Sequence, residues 1–455
     1  MAAKDALAAF AGDIKVARAA CGALANLAEA ADTRVPLVRD GAHTTAMMAA
    51  RVHSGDVEVA RGVCRTLRCL SRETDNMLLL FRDGVHTAVI AATRAHASDL
   101  EVVRHSCVVL NNLTTAADNC LPLVRGGAHT AMIAAARVHS GDADVALATC
   151  GALGNLAVAA RDKAPLVRDG VHTAVIAVAR IHPGDAKVVR ASCCTLAFLS
   201  LEADNRVPLV RDGAHEAVMK AARTYRSDVE VAQAACVTLR NLSVAASNWV
   251  PLVRDGTHTA VMAAARIHGS HLEVVRAACA ALVSLSCAAD NCVPLVRDGA
   301  HTVVMAAVRA HSSDVEVARA TCGALGNMAA AADNKVPLMR DGVHTAVMAA
   351  ARAHRSDFEV ARATCGAMHN LAIAVDNRVP LVRDGAHTVV MAAARIHGSE
   401  IEVARMACSL LAILSLTADC RGNLSRDGVR EFLAFVSGLH PGDGTVLDYC
   451  RRVVL

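Results

Sequence analysis

Seventeen cysteines and twenty-one histidines are the residues of this chain that could hold zinc or carry redox chemistry. Their spacing decides against both. Cys21, Cys64, Cys107, Cys150, Cys193, Cys236, Cys279, Cys322, Cys365 and Cys408 recur every 43 residues, so each unit of that length holds one. All ten sit in an apolar stripe. Equivalent helices of neighbouring units pack ~8–10 Å apart, whereas a disulfide needs Cα atoms within ~7 Å. These thiols read as small buried hydrophobes in a reducing compartment. Cys69, Cys120, Cys194, Cys287, Cys292, Cys420 and Cys450 form no CxxC pair.

The histidines make two more rows. His43, His86, His129, His172, His215, His258, His301, His344 and His387 hold one position. His53, His96, His139, His182, His268, His311, His354, His397 and His440 hold another, ten residues later on the same helix. Ten residues span ~15 Å at 1.5 Å per residue, far beyond the ~2 Å bonds of a zinc site. A structural role follows, at the start and the C-terminal end of one helix. Ser/His/Asp, Walker, Rossmann and HExxH patterns are absent. No catalytic residue, metal ligand or cofactor is expected.

The elements behind these rows repeat with the same period. Arg-Asp-Gly-x-His begins at Arg39, Arg82, Arg168, Arg211, Arg254, Arg297, Arg340 and Arg383. Arg125-Gly126-Gly127 is a variant, and Arg430 replaces His in the last copy. Each unit reads as three helices. A short one, such as Asp204–Arg211, starts at Asp or Asn as a cap and tolerates Pro in its first turn. Gly213 then permits a turn with positive φ. A second helix covers about 215–225, and Asp228 caps a third that runs to about 245. The stripe Val231, Cys236, Leu239, Leu242 has helical spacing and faces the core.

The stretch DVEVARATCGALGNMAAAADNKVPLMRDGVHTAVM (314–348) and the ALGNLA motif (152–157) resemble the armadillo consensus, and the likeness covers nearly the whole chain. The resemblance implies an all-α armadillo-type α-solenoid, a right-handed superhelix of three-helix repeats with period 43. It also implies a concave groove lined by third helices, where Asn hydrogen-bonds the backbone of an extended peptide. The matching positions are Asn26, Asn112, Asn155, Asn241, Asn327 and Asn370. Cys69, Phe198, Ser284 and Ile413 interrupt that ladder. The Trp that importin-α-like members carry four residues earlier is missing, since Gly22, Arg65, Val108 and Gly151 stand there and the lone Trp249 lies in a first helix.

Eight residues before the Asn position runs a basic row: Arg18, Arg61, Arg104, Arg190, Arg276, Arg319, Arg362 and Arg405, broken at Leu147 and Gln233. Arg and Asn share one helix face. Along a groove, such a row suits acidic or phosphorylated peptide, because guanidinium grips carboxylate or phosphate as a fork. The alternative is a solvated Arg–Glu face, since Glu58, Glu101, Glu230, Glu273, Glu316, Glu359 and Glu402 stand three residues before positions of that row, Glu230 before the Gln233 break. A further row (Arg51, Arg94, Arg137, Arg180) reads as C-terminal charge on second helices.

Length and composition agree with this reading. In 455 residues there are one Trp, two Tyr and six Phe, a poor composition for a β-sandwich. A net charge of +4 is low for a nucleic-acid binder. The longest uncharged run, Val145 to Ala160, is shorter than the ~20 residues of a spanning helix. The expected organisation is a partial capping repeat at 1–31, nine repeats over 32–418 and a second partial repeat at 419–455. The expected function is a non-catalytic scaffold or adaptor for protein or peptide ligands, with neither nucleic acid nor membrane insertion, monomeric, and cytoplasmic or also nuclear. A nuclear-transport adaptor of importin-α type and a cytoskeletal or ciliary assembly component are the rival readings.

Overall fold

The computed structural model describes residues 2–10 and 12–454, which form helices and turns with no strand among them. One unit shows why. Ala332–Asn334 makes a single 3-10 turn and leads into the helix Lys335–Arg340. Gly342 follows with φ 79°, and Thr345 donates its hydroxyl to the Gly342 carbonyl at 2.7 Å. The chain then turns into Val343–Ala353. Asp357 starts Phe358–Ala372 by accepting the Val360 N–H at 3.0 Å. The turn glycine is left-handed in every copy from Gly41 to Gly428, a conformation that disfavours any residue with a Cβ. No helix of the described residues is long and apolar enough to cross a membrane.

The chain divides into two compact units, 1–224 and 225–455. In the first, the third helices Ile14–Glu29, Val57–Leu70, Leu100–Thr114, Ala143–Ala159 and Ala186–Leu199 each pack on the next. In the second, Val229–Leu242, Leu272–Leu285, Val315–Met328, Phe358–Ala372, Ile401–Ser415 and the short Gly444–Arg452 do the same. Each unit is thus a solenoid without a single central core, in which each repeat buries its apolar stripe against its neighbours. The cysteine row lies inside those stripes, all ten members are buried, and every cysteine is a free thiol. Burial pushes the Cys236, Cys279 and Cys365 thiols up to about 12, so none is a nucleophile.

The polar rows turn out to join consecutive repeats. His43, His129, His258, His301, His344 and His387 are buried, and each Nε2 meets the Asp forty residues on at 2.7–3.1 Å. His172 does likewise with Asp212 at 2.8 Å. That Asp is the one in Arg-Asp-Gly. The later histidines bond the preceding repeat: His96 reaches the Ser54 carbonyl at 3.0 Å, His139 the Ala97 carbonyl at 2.8 Å, His354 the Ser312 carbonyl at 2.9 Å. His86 tests the rule, because the residue forty on is Gly126. It stacks on Phe81 instead, with ring centroids 4.3 Å apart, and burial lowers its pKa.

One expectation is corrected. The Asn of the first short helix is not a cap. Asn205 makes no capping bond at the start of Arg206–Arg211. It is buried, and its Nδ2 donates to the Leu199 carbonyl at 2.9 Å. Asn119, Asn248, Asn291, Asn334 and Asn377 do the same to the end of the preceding third helix, at 2.8–3.0 Å. The orphan carbonyls of a helix C-terminus need donors, and this amide supplies one from the next repeat. Asp228, in contrast, caps Val229–Leu242 as expected, accepting from Glu230 and Val231.

Candidate functional site

The arginine row does not present open guanidinium groups. Arg61 Nε and Nη2 lie 3.2 and 2.6 Å from Asp99, and Nη1 lies 2.8 Å from Glu58. Arg319 repeats this with Asp357 at 3.1 and 2.6 Å and Glu316 at 2.9 Å. Arg276 pairs with Asp314 and Glu273, and Arg18 with Asp56. Arg104–Asp142 and Arg405–Asp443 close at 2.5 Å. Arg190 is also partnered. Arg362 has Glu400 where the others have Asp, and among the described residues it pairs with Glu359 alone, at 2.7 Å. The aspartates are the caps of the next third helices. Arg18 and the capped amides hold the Asp56 carboxyl down to about 2, and Arg61, Arg276 and Arg319 lower Asp99, Asp314 and Asp357 in the same way. The near glutamate was visible in sequence. The aspartate, thirty-eight residues away, becomes a partner only once the stacking register is known.

The asparagine positions are anchored and partly open. Asn112 donates Nδ2 to Ser71 Oγ at 3.0 Å, Asn155 to Thr114 Oγ1 at 3.0 Å and Asn327 to Ser286 Oγ at 3.1 Å. Asn370 donates to the Gly326 carbonyl at 2.9 Å. In each case the partner is in the preceding repeat. One N–H and the Oδ1 of Asn112 and Asn155 remain without a hydrogen-bond partner among the described residues. Asn26 is exposed, while Asn241 is buried and accepts from Arg240 at 3.1 Å. One turn further along the same face lies an exposed apolar row that sequence reasoning passed over: Val158 and Leu201 in the first unit, Val244, Ile373 and Leu416 in the second. Its signal was the same 43-residue spacing.

The opposite helices offer less. Clefts between consecutive second helices are lined chiefly by alanine, with Arg51, His53 and Asp83 in one and Arg352, His354 and Arg355 in another. Among the described residues, no group of His, Cys, Asp and Glu could hold a metal ion. One place breaks the periodicity with charge: Arg65, Arg68 and Arg72 surround Glu29.

A three-helix repeat with a left-handed glycine turn and a laddered third helix defines an armadillo solenoid. The chain belongs to the armadillo-repeat family: the model described as LRRK2 ARM repeat matches residues 1–134, 126–250 and 213–336. No curated protein matches the chain in sequence. Solved structures do match in fold. One is described as "A conserved phosphorylation switch controls the interaction between cadherin and beta-catenin in vitro and in vivo"; its chain has a TM-score of 0.70 and 17% identity, with 97% of each chain covered. Another is a crystal structure of an engineered protein, with a TM-score of 0.69 and 18% identity over 87% of this chain and 94% of that one.

Proposed function

We propose that this chain is a non-catalytic protein-interaction scaffold or adaptor that binds an extended, acidic or phosphorylated peptide along its third helices. The observation that carries this reading is the tethered asparagine. Asn112 and Asn155 are held in place by one N–H on the preceding repeat. Their remaining donor and acceptor match the two hydrogen-bonding groups of a peptide unit. The exposed row beginning at Val158 and Leu201 adds apolar contact beside them. The fold neighbour described by a cadherin–β-catenin phosphorylation switch supports the same mode of use.

The arginine row takes part through what its aspartates leave. Arg18, Arg104 and Arg405 keep Nη1 unpaired among the described residues, and an acidic ligand can share them without breaking the pairs. The free thiols suit a reducing compartment such as the cytoplasm or nucleus, and the scaffold reading takes the chain as a monomer. Charge reversal at Arg276 or Arg319 would break ion pairs between repeats, so the variant chosen is Asn112→Ala with Asn155→Ala, which costs only the neutral bonds to Ser71 and Thr114, with hydrogen exchange of the free chain as the control for stacking. Affinity for partners purified from native lysate falls at least thirtyfold, the four hydrogen bonds lost being worth about 0.5 kcal/mol or more each. Unchanged affinity for every such partner, with helicity intact, contradicts the reading.

A further inference from the structure

Residues shared by every repeat explain the stacking, so a feature confined to one repeat calls for another explanation. The third helix Val57–Leu70 carries such a feature. Arg61, Arg65 and Arg68 stand at intervals of four and three residues, which puts them on one helix face, and Arg72 lies in the turn just past the helix end. Arg61 belongs to the row paired with Asp99 and Glu58. Arg65 and Arg72 are peculiar to this repeat, the equivalent positions in the next being Val108 and Thr115, and Arg68 recurs once, as Arg240; the three together occur only here.

These three converge on a single carboxylate. Glu29 Oε1 lies 3.4 Å from Arg65 Nε and 3.3 Å from Arg68 Nη2, and Oε2 lies 3.8 Å from Arg72 Nη1. All three distances are long for charge-assisted bonds, which close to about 2.7–2.9 Å. Glu29 is also the last residue of Ile14–Glu29, the end of a helix that disfavours negative charge. Three cations against one anion leave a local excess of two positive charges. Two buried groups sharpen the point. The Nε of Arg68 has no hydrogen-bond partner. His105, from the next third helix, is 7% exposed, and neither ring nitrogen makes a hydrogen bond, although Nε2 lies 3.7 Å from the Glu101 carboxylate. Burial, then Arg68, Arg65 and Arg104, push its pKa down to about 4.

We infer that Arg65, Arg68 and Arg72 form a binding site for a dianionic phosphate monoester carried on a peptide, with Glu29 as its internal placeholder. A phosphorylated serine or threonine carries close to two negative charges and three strong acceptors, which matches both the charge excess and the unpaired donors. A peptide source fits the neighbouring ladder. Cys69 occupies the asparagine position of this repeat, with exposed Asn26 one repeat before and Asn112 one repeat after. Those two are ~20 Å apart at ~10 Å per repeat, a span of about six extended residues. The backbone is held at the flanks and the phosphate falls in the middle. This inference rests on the scaffold reading for the peptide path but not for the anion site.

The test is fluorescence anisotropy of the whole chain with two labelled degenerate peptide pools, one with a central phosphoserine and one with serine. The phosphoserine pool binds at least tenfold more tightly. Arg65→Ala with Arg68→Ala removes that difference. Glu29→Gln strengthens phosphoserine binding several-fold, a gain that misfolding cannot produce, and the His105 ring resonances shift when that pool is added. Equal affinity for the two pools, or a Glu29→Gln variant no tighter than wild type, overturns the site. Inorganic phosphate that saturates the site at the same concentration as the phosphopeptides, or a single-stranded oligonucleotide that binds it more tightly, overturns the peptide assignment. A protein that loses native partners in the Asn112/Asn155 variant yet shows no phosphoserine preference retains the scaffold reading alone. The reverse pattern retains the site alone.

Discussion

Replacing Asn334 by alanine removes the joint between two repeats at a single buried amide. Asn334 is 3% exposed, and its Nδ2 donates to the Met328 and Cys292 carbonyls at 2.9 Å each. Met328 ends the helix Val315–Met328, so its carbonyl has no partner within that helix. Two hydrogen bonds contribute about 1–3 kcal/mol, and an acceptor left buried and unpaired moves the loss to the upper end, about 3 kcal/mol. In a stack of repeats this loss falls on one interface. Hydrogen exchange is the assay, since a single unfolding free energy is not well defined for such a chain. Protection over residues 315–345 drops about a hundredfold, each 1.4 kcal/mol being tenfold. Ile401–Ser415 stays within about twofold, and the exposed neighbour substitution Asp333→Ala changes nothing. A drop of less than threefold over 315–345, or an even loss across the whole 225–455 unit, refutes the reasoning.

Three other outcomes follow from the same geometry. Gly126 has the right-handed φ of −76°, and a Cβ there would meet the Pro122 and Leu123 carbonyls at 3.4 and 3.7 Å, ordinary contacts, so Gly126→Asp fits and gives His86 the partner its equivalents have; stability rises by about 1 kcal/mol and the His86 pKa moves up in NMR titration, whereas an unchanged His86 titration counts against the pairing rule. In native protein a thiol reagent labels only exposed Cys287 and half-buried Cys194 and Cys450, while the fourteen buried thiols react only on unfolding; fast labelling of Cys236 or Cys279 contradicts the packed-core assignment. Acid should unfold the chain through its paired aspartates. Their folded pKa values lie below the ordinary ~3.9, so their contribution is complete above that value and disappears as pH falls toward the values of about 2 held by Asp56 and Asp212; helical circular dichroism that collapses above pH 5 contradicts this.

Much of the fold could be read from spacing. Gly213, Gly256 and their equivalents lie at left-handed turns. The cysteine row is core. The His43 and His53 rows serve the architecture, and Asp228 caps its helix. What could not be read is the partner of each polar row. His43 needs Asp83, Arg61 needs Asp99 and Asn334 needs Cys292, all in an adjacent repeat. Local sequence displays contacts three or four residues apart, which is why the Arg61–Glu58 pair was anticipated and the Arg61–Asp99 pair was not. The same limit explains why Asn205 passed for a cap. The cluster of Arg65, Arg68 and Arg72 is visible as a run of arginines at helical spacing, but its carboxylate, Glu29, comes from the repeat before. Periodic rows therefore read well as a class and poorly as contacts. The departures from periodicity need the stacked structure before their chemistry can be weighed.

The central claim is that partners are bound on the third helices, while the other rows hold the repeats together. The most direct measurement is hydrogen exchange of the chain alone and in complex with a partner purified from native lysate. Added protection should concentrate on third helices, at Leu100–Thr114 and Ala143–Ala159 in the first unit or Val315–Met328 and Phe358–Ala372 in the second. Protection confined to second helices such as Ala128–Val138 and Val343–Ala353 would contradict the account.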